Sequence, residues 1–277
     1  MPLDGRLSEH WRVAQGELFP WLEEHVGPLG SHHRLLVTAL EFVRVERFVP
    51  ASSHWAGRRP ACRAALARAF LAKAIFALPM TVMLRERLLV DKVLRRICGW
   101  ERAGQVPSEA TFSRAFAEFA ASALPERAHA ALVEARLGGC LLTGAHVHDS
   151  QAAIPLAVMT ARRVTNLYDL MDSAYDAREI HDHSRSPGHV PVIDPVPRSK
   201  AAKDAWAMEK KARQQIAWEP AEAMRLAQRT SCERVNSRLK DQFGGHHVRV
   251  RGPTKAMCHL MFGILALTVD QFIRLVT

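Results

Sequence analysis

Apolar positions return every three or four residues through much of the first half of this chain, which predicts helices. A first helical period covers Leu35–Val49, and a turn-prone stretch, Pro50–Arg59, follows it. From Cys62 to His129 the pattern is strongly helical. Ala65–Met83 is Ala-rich and largely apolar, and Leu84–Trp100 carries Leu88, Leu89, Val93, Leu94 and Ile97 at mostly three- and four-residue intervals. Gly104–Pro107 breaks the run. Ser108 then reads as the N-cap of a helix Glu109–Ser122, with Phe112, Phe116 and Phe119 on one face. Two helices joined by a short Gly-containing turn fit a helix-turn-helix or a plain helical hairpin.

After Gly138–Gly139 the pattern changes. Short β-like runs at Cys140–Gly144, Leu167–Met171 and His189–Ile193 alternate with helical ones at Gln151–Thr165 and Ala177–Ser184. Such alternation predicts an α/β unit with some parallel pairing. A Pro- and Lys-containing loop, Pro195–Lys203, precedes a helical stretch, Asp204–Leu226. A helix around Glu233, a turn and strand-like segment at Gly244–Gly252 and a long closing helix, Ala256–Val276, complete the chain. The expected fold class is α/β, divided into an N-terminal helical extension (1–60), a helical domain (61–137) and a mixed core (138–277).

Charge narrows the function. The formal net charge is +10 over 277 residues, which points to a polyanionic partner, nucleic acid above all. The five cysteines are scattered and form no C-x-x-C pair, which fits reduced thiols in the cytoplasm better than a disulfide framework. No signal pattern opens the chain, and the most apolar run, Met257–Val269, is short for a membrane span. A cytoplasmic protein with no membrane partner is expected.

Candidate chemistry concentrates in Arg229–Lys240. On a continuous helix Arg229, Glu233 and Lys240 would lie within about 60° of one another, beside an apolar stripe of Cys232, Val235, Leu239 and Phe243. Asp172 closes a probable strand, where ligands gather in open α/β sheets. Two carboxylates, Asp172 and Glu233, could supply part of the oxygen set that holds Mg²⁺ against a phosphodiester. The plainer alternative is that Asp172 caps a turn and Glu233 pairs with Arg229 across one helical turn. Arg229, Arg234, Arg238, Lys240, Arg249, Arg251 and Lys255 form a late basic cluster suited to phosphates. Arg85, Arg87, Arg95, Arg96 and Arg114 could do the same in the helical region, with Ser113 and Arg114 on a possible recognition helix. The alternating histidines His146/His148 and His181/His183 suggest zinc ligands or simply polar loops.

These residues carry a family resemblance. Val106-Pro-Ser-Glu-Ala-Thr-Phe-Ser-Arg-Ala-Phe116 resembles the N-terminal domain of bacterial insertion-sequence transposases. Leu167-Tyr-Asp-Leu-Met-Asp-Ser-Ala-Tyr-Asp176, Cys232-Glu-Arg-Val-Asn-Ser-Arg-Leu-Lys-Asp-Gln-Phe-Gly244 and the ending Met257–Leu267 resemble the catalytic core of the same DDE transposases. The resemblance implies an RNase H-like core that cuts and joins element ends with Mg²⁺ or Mn²⁺, acting on double-stranded DNA as a possible homodimer. It places the second catalytic aspartate at Asp172 and the glutamate at Glu233. The family's Tyr-Arg-Glu-Lys signature maps onto Arg229, Glu233 and Lys240, with Leu226 at the tyrosine position. A second departure is larger. Glu134-Ala-Arg-Leu-Gly-Gly139 runs directly into Cys140, leaving no interval for the first strands and the first aspartate, and Asp149 aligns only with a polar turn. The expectation is an internally deleted, catalytically impaired transposase. Its rival is a DNA-binding protein without chemistry, sensitive to changes at Arg114 or Arg95.

Overall fold

The computed structural model describes residues 12–49, 61–133, 149–161, 166–193, 197, 199–216 and 225–276. The expected strand Cys140–Gly144, the histidines His146 and His148, and the interval Glu134–Gly139 lie outside them. By contacts the chain forms two units, Met1–Val133 with Asn236–Thr277, and Glu134–Val235.

The first unit is helical. A π-turn at Ala14–Leu18 leads into α1 (Phe19–Val26), followed by α2 (Ser31–Val43), α3 (Arg63–Ile75), α4 (Thr81–Val90), α5 (Lys92–Cys98), α6 (Glu109–Ala121) and α7 (Leu124–Val133). The continuous helix expected over Leu84–Trp100 is divided at Asp91. Asp91 has extended backbone (φ −81°, ψ 99°), and its carboxylate accepts the Leu94 N–H at 2.9 Å, capping α5. It also meets His33 (3.1 Å) and Arg87 (3.2 Å). Burial works to raise the Asp91 pKa, but the Leu94 amide, His33 and Arg87 outweigh it and hold the carboxyl below its ordinary value. Ser108 does precede α6, as its pattern predicts. Its hydroxyl meets Thr111 Oγ1 at 3.1 Å, however, and caps no backbone amide.

The core forms where α3 is apolar on nearly every side, from Ala65 to Ile75. Phe70 lies at its centre, with ring centroids of Phe112, Phe116, Phe119 and Phe262 between 4.9 and 6.1 Å away. Phe112 and Phe119 meet it edge-on, the arrangement the ring quadrupoles favour. Phe262 comes from α12 (Pro253–Val276), whose buried Cys258, Met261, Leu265, Ala266 and Val269 pack against α2, α3, α6 and α7. The stretch Pro253–Arg274 is long and apolar enough to cross a membrane by length and composition, so the shorter run expected from Met257–Val269 understates it. Its apolar face is instead taken up by this core.

Two close approaches fix α12 against the end of α11 (Thr230–Gln242). A Cβ on Gly263 would come within 2.7 Å of the Phe243 carbonyl oxygen and 2.9 Å of Leu239 Cδ1, so only a bare backbone fits. Gly244 turns the chain with φ 77°, and its carbonyl accepts a hydrogen bond from His259 Nε2 at 3.0 Å. Burial, with the Lys73 charge nearby, pushes the His259 pKa down against the opposing pull of that carbonyl. The strand-like segment expected over Gly244–Gly252 is turn and irregular chain.

The second unit contains α8 (Asp149–Ala161), β1 (Tyr168–Met171), α9 (Arg178–Arg185), β2 (Val190–Ile193) and α10 (Lys200–Gln215). β1 and β2 pair in parallel, Tyr168 opposite Val190 through Met171 opposite Ile193, with α9 as the crossover. The alternation predicts this strand–helix–strand unit, and the described residues contain this one sheet of two strands. Helix α10 begins inside the expected Pro195–Lys203 loop. Ser199 caps it, its hydroxyl accepting the Ala202 N–H at 3.1 Å.

Candidate active site

β1 is anchored by polar groups that converge on one of its own side chains. Asp169, paired in register with Pro191, is seven-eighths covered. Its Oδ2 accepts from the buried Ser184 hydroxyl at 2.6 Å and lies 3.1 Å from His189 Nδ1. Its Oδ1 accepts from Asn166 Nδ2 at 2.6 Å. One carboxylate thereby ties β1 to α9 and to the start of β2. Asp169 is not among the sequence candidates. A single acidic residue inside a strand pattern carries no sign that a neighbouring amide and two donors from later in the chain will converge on it.

Three residues on, Asp172 leaves the strand and caps the short 3₁₀ turn Ser173–Tyr175, Oδ1 accepting the Ala174 N–H at 3.0 Å. Its other oxygen lies 3.5 Å from Arg229 Nη1. The second guanidinium nitrogen of Arg229 donates to Glu233 Oε1 at 2.7 Å. One cation thus bridges the two carboxylates that the sequence pairs. The plain contacts and the convergence coexist: Asp172 does cap a turn, Glu233 does pair one helical turn back, and both reach the same charge.

Arg229 is not in the helix. It lies in the turn before α11, which begins at Thr230, so the expected continuous face is broken at its first member. A tertiary contact compensates. Four residues earlier, the Arg225 guanidinium lies over the Tyr168 ring, 3.9 Å from its centroid. Arg225 and Arg229 therefore fasten this segment at the two ends of β1, Tyr168 and Asp172. Leu226, at the signature's tyrosine position, is half-buried between them in sequence.

Glu233 and Asp172 retain 58% and 41% of their side-chain exposure. Ion pairs this open contribute little to stability, about 0–1 kcal/mol, so the arrangement is not explained as a structural brace. Carboxylate oxygens are the donors that a hard divalent cation takes. Asp172 and Glu233 offer such oxygens, and among the described residues no group of three or more His, Cys, Asp or Glu side chains is arranged to hold a metal.

The remaining candidates are dispersed. Lys240, Arg249, Arg251 and Arg114 are exposed, while Arg234 reaches Ser231 Oγ at 3.3 Å. Arg238 is committed to Asp270 of α12 and to Gln242, with its guanidinium beside Phe243. The apolar stripe beside Glu233 is only half used. Leu239 and Phe243 reach the core, whereas Cys232 and Val235 stay exposed. Arg95, expected on a DNA backbone, is buried and donates to the carbonyls of Leu88 and Leu89 at 3.1 Å. It is a structural cap, because a buried helix end needs partners for its carbonyls. Arg96 is likewise engaged by the His25 carbonyl and Glu101. His181 and His183 are no extended-chain chelate. Both lie on α9, where a separation of two turns side chains apart, and His181 pairs with Asp176 at 3.1 Å. The four described cysteines are free thiols, and burial pushes that of Cys98 up to about 12.

Comparison with known families covers most of the chain. Residues 127–269, more than half of the chain, match the Transposase DDE domain, a span that includes Asp172, Arg229, Glu233 and Lys240. Residues 22–118 match a Transposase domain (DUF772), which takes in α2 to most of α6 and part of the segment expected as an extension. No curated protein and no solved structure matches the chain. Enzymes with this domain are DNA nucleases and strand transferases that generally use divalent metal ions. With both halves of its length assigned to transposase domains, the chain belongs to the insertion-sequence DDE transposases.

Proposed function

We propose that Asp172 and Glu233 are the second and third catalytic carboxylates of this transposase, that they ligate Mg²⁺ or Mn²⁺, and that the chain binds element ends while cutting them little or not at all. The observation that carries the reading is the convergence of both carboxylates on the Arg229 guanidinium, 3.5 and 2.7 Å away. Carboxylates that gather around one cation in an exposed setting are placed to gather around another. A divalent ion bound there would neutralise charge on the scissile phosphate and lower the pKa of an attacking water. Arg229 would hold a DNA phosphate near that point, and the exposed Arg234, Lys240, Arg249 and Arg251 are further candidates for phosphate contact, whereas Arg238 is taken up by Asp270. In the reaction, water displaces the 3′-oxygen at an element end, and the freed 3′-hydroxyl then attacks target DNA.

The domain plan of the proposal follows the resemblance. An N-terminal extension (1–60) precedes a DNA-binding helical domain (61–137) with Arg114 on its recognition helix, and an RNase H-like core (138–277) lacks its first strands. A homodimer in the cytoplasm would pair two element ends. The impairment follows from the ligand count. Two-metal chemistry needs carboxylates converging from several elements, and the sequence leaves no place for the first aspartate.

The test is strand cleavage of double-stranded DNA bearing the element's ends, with Mg²⁺ or Mn²⁺, for the natural chain and Glu233→Ala. End binding with little cleavage is expected. Robust cleavage abolished by Glu233→Ala would overturn the impairment and keep the ligand assignment. Robust cleavage indifferent to Glu233→Ala would overturn the ligand assignment itself.

A further inference from the structure

The Arg229 guanidinium stands between the two carboxylates of the site, with Nη1 3.5 Å from Asp172 Oδ2 and Nη2 2.7 Å from Glu233 Oε1. The other oxygen of Asp172 is committed as well, because Oδ1 accepts the Ala174 N–H at 3.0 Å. A divalent ion held by Asp172 must therefore take Oδ2 from Arg229 or Oδ1 from the turn that Asp172 caps. Oδ2 is the easier to release. Its pair with Arg229 is longer than a good hydrogen bond and open to water, whereas the amide contact is within hydrogen-bond range and closes the turn.

A guanidinium and a divalent ion do not share such a pair readily. Arg229 offsets one of the two negative charges, and an ion on the same oxygens would set its double charge against the guanidinium at short range. Arginine suits the place because its planar fork can donate to two carboxylates at once. It is also able to leave. Arg229 lies in the turn before α11 with its side chain 29% exposed, and its segment has a separate anchor where Arg225 lies over the Tyr168 ring. Release of Arg229 gives up two exposed ion pairs and leaves that anchor in place.

We infer that Arg229 is an internal counter-ion of the Asp172–Glu233 pair, which competes with a divalent ion for the two carboxylates and yields them when a phosphate takes the guanidinium. The inference rests on the reading of Asp172 and Glu233 as metal ligands. To that reading it adds a competitor built into the chain and a coupling, since phosphate and ion each favour the other by removing Arg229 from the pair.

Binding of Mn²⁺ to the full chain without DNA, read from the loss of the free ion's paramagnetic resonance signal, tests the competition. Arg229→Gln is expected to bind Mn²⁺ about 2- to 30-fold more tightly than the natural chain, the range that two exposed ion pairs supply. Arg229→Lys keeps the charge without the two-pronged fork and should fall between the two. No gain in Arg229→Gln overturns the inference. So does an Arg229→Lys chain that binds as the natural one does, because charge alone would then account for the gain. Glu233→Ala separates this outcome from the ligand reading. Loss of Mn²⁺ in Glu233→Ala with no gain in Arg229→Gln removes the counter-ion alone. Equal Mn²⁺ binding by Glu233→Ala and the natural chain, or none by either the natural chain or Arg229→Gln, overturns both. The natural chain gives a second reading that no substitution can disturb. Mn²⁺ should speed modification of Arg229 by phenylglyoxal, followed by mass spectrometry of its peptide, and leave that of Arg114, exposed in the first unit, unchanged. A rate at Arg229 indifferent to Mn²⁺ overturns the competition. Added Mn²⁺ should also raise affinity for a short duplex more in the natural chain than in Arg229→Gln, and equal gains overturn the coupling.

Discussion

Replacing Asp169 by Ala should loosen the second unit without touching the first. Three donors converge on its carboxylate: the Ser184 hydroxyl and the Asn166 amide at 2.6 Å each, and His189 Nδ1 at 3.1 Å. A hydrogen bond to a charged acceptor contributes about 1.5–3 kcal/mol, and a buried donor left without a partner costs about 1–3 kcal/mol. Ser184 is 2% exposed and cannot turn to water, so it bears its full penalty. Asn166 and His189 are partly accessible and recover some of theirs by hydration. The net expectation is about 3 kcal/mol, with Asp169→Asn, which keeps shape and one acceptor, costing about half as much. A chain of two units need not unfold in one step, so hydrogen exchange read peptide by peptide is the suitable assay. Exchange in β1, α9 and β2 should accelerate by about a hundredfold, since 1.4 kcal/mol is a factor of ten. Exchange in α3, α6 and α12 should not change. Uniform acceleration in both units, or none in β1–α9–β2, would refute the view that this carboxylate is the unit's internal fastening.

Lys73, 7% exposed, has its pKa pushed down by burial to about 8 from an ordinary value of 10.5. Below pH 8 the folded protein bears the cost of a buried charge, on the order of 3 kcal/mol, and the unfolded chain binds the extra proton between pH 8 and 10.5. Stability of the first unit should therefore rise with pH across that window, and Lys73→Met should stabilise the protein at pH 7 and flatten the rise; denaturant titrations at several pH values would show it. Gly263→Ala should cost about 1–3 kcal/mol, because the new Cβ meets backbone of Phe243 at 2.7 Å rather than a flexible side chain; a melting temperature equal to that of the natural chain would contradict the close approach. Glu233→Ala should leave thermal stability within about 1 kcal/mol of the natural chain, as expected for an exposed pair, so that any lost cleavage reports on chemistry and not on folding.

Much of the local structure is legible in the sequence because its causes are local. Spacings of three and four residues set α2, α3, α6 and α12, and the strand–helix–strand alternation sets β1, α9 and β2. The Arg229–Glu233 pair is one helical turn long and can be read the same way, even though Arg229 stands just outside the helix. The family itself is legible in Leu167–Asp176 and Cys232–Gly244, where residue identities rather than periodicities carry the signal.

Tertiary structure alone decides the rest. Nothing in the spacing of Arg95 says that it is buried against the carbonyls of Leu88 and Leu89, because its partners are fixed by how α4 turns into α5 at Asp91. The destination of α12 depends on which helices offer it an apolar groove, a question its own hydropathy cannot answer. Asp169 and Asp172 are three residues apart and look alike in a sequence. One is covered by donors from two later elements, and the other is left open beside Arg229. That difference depends on where the chain returns to β1, and it separates a carboxylate covered by three donors from one left open to solvent.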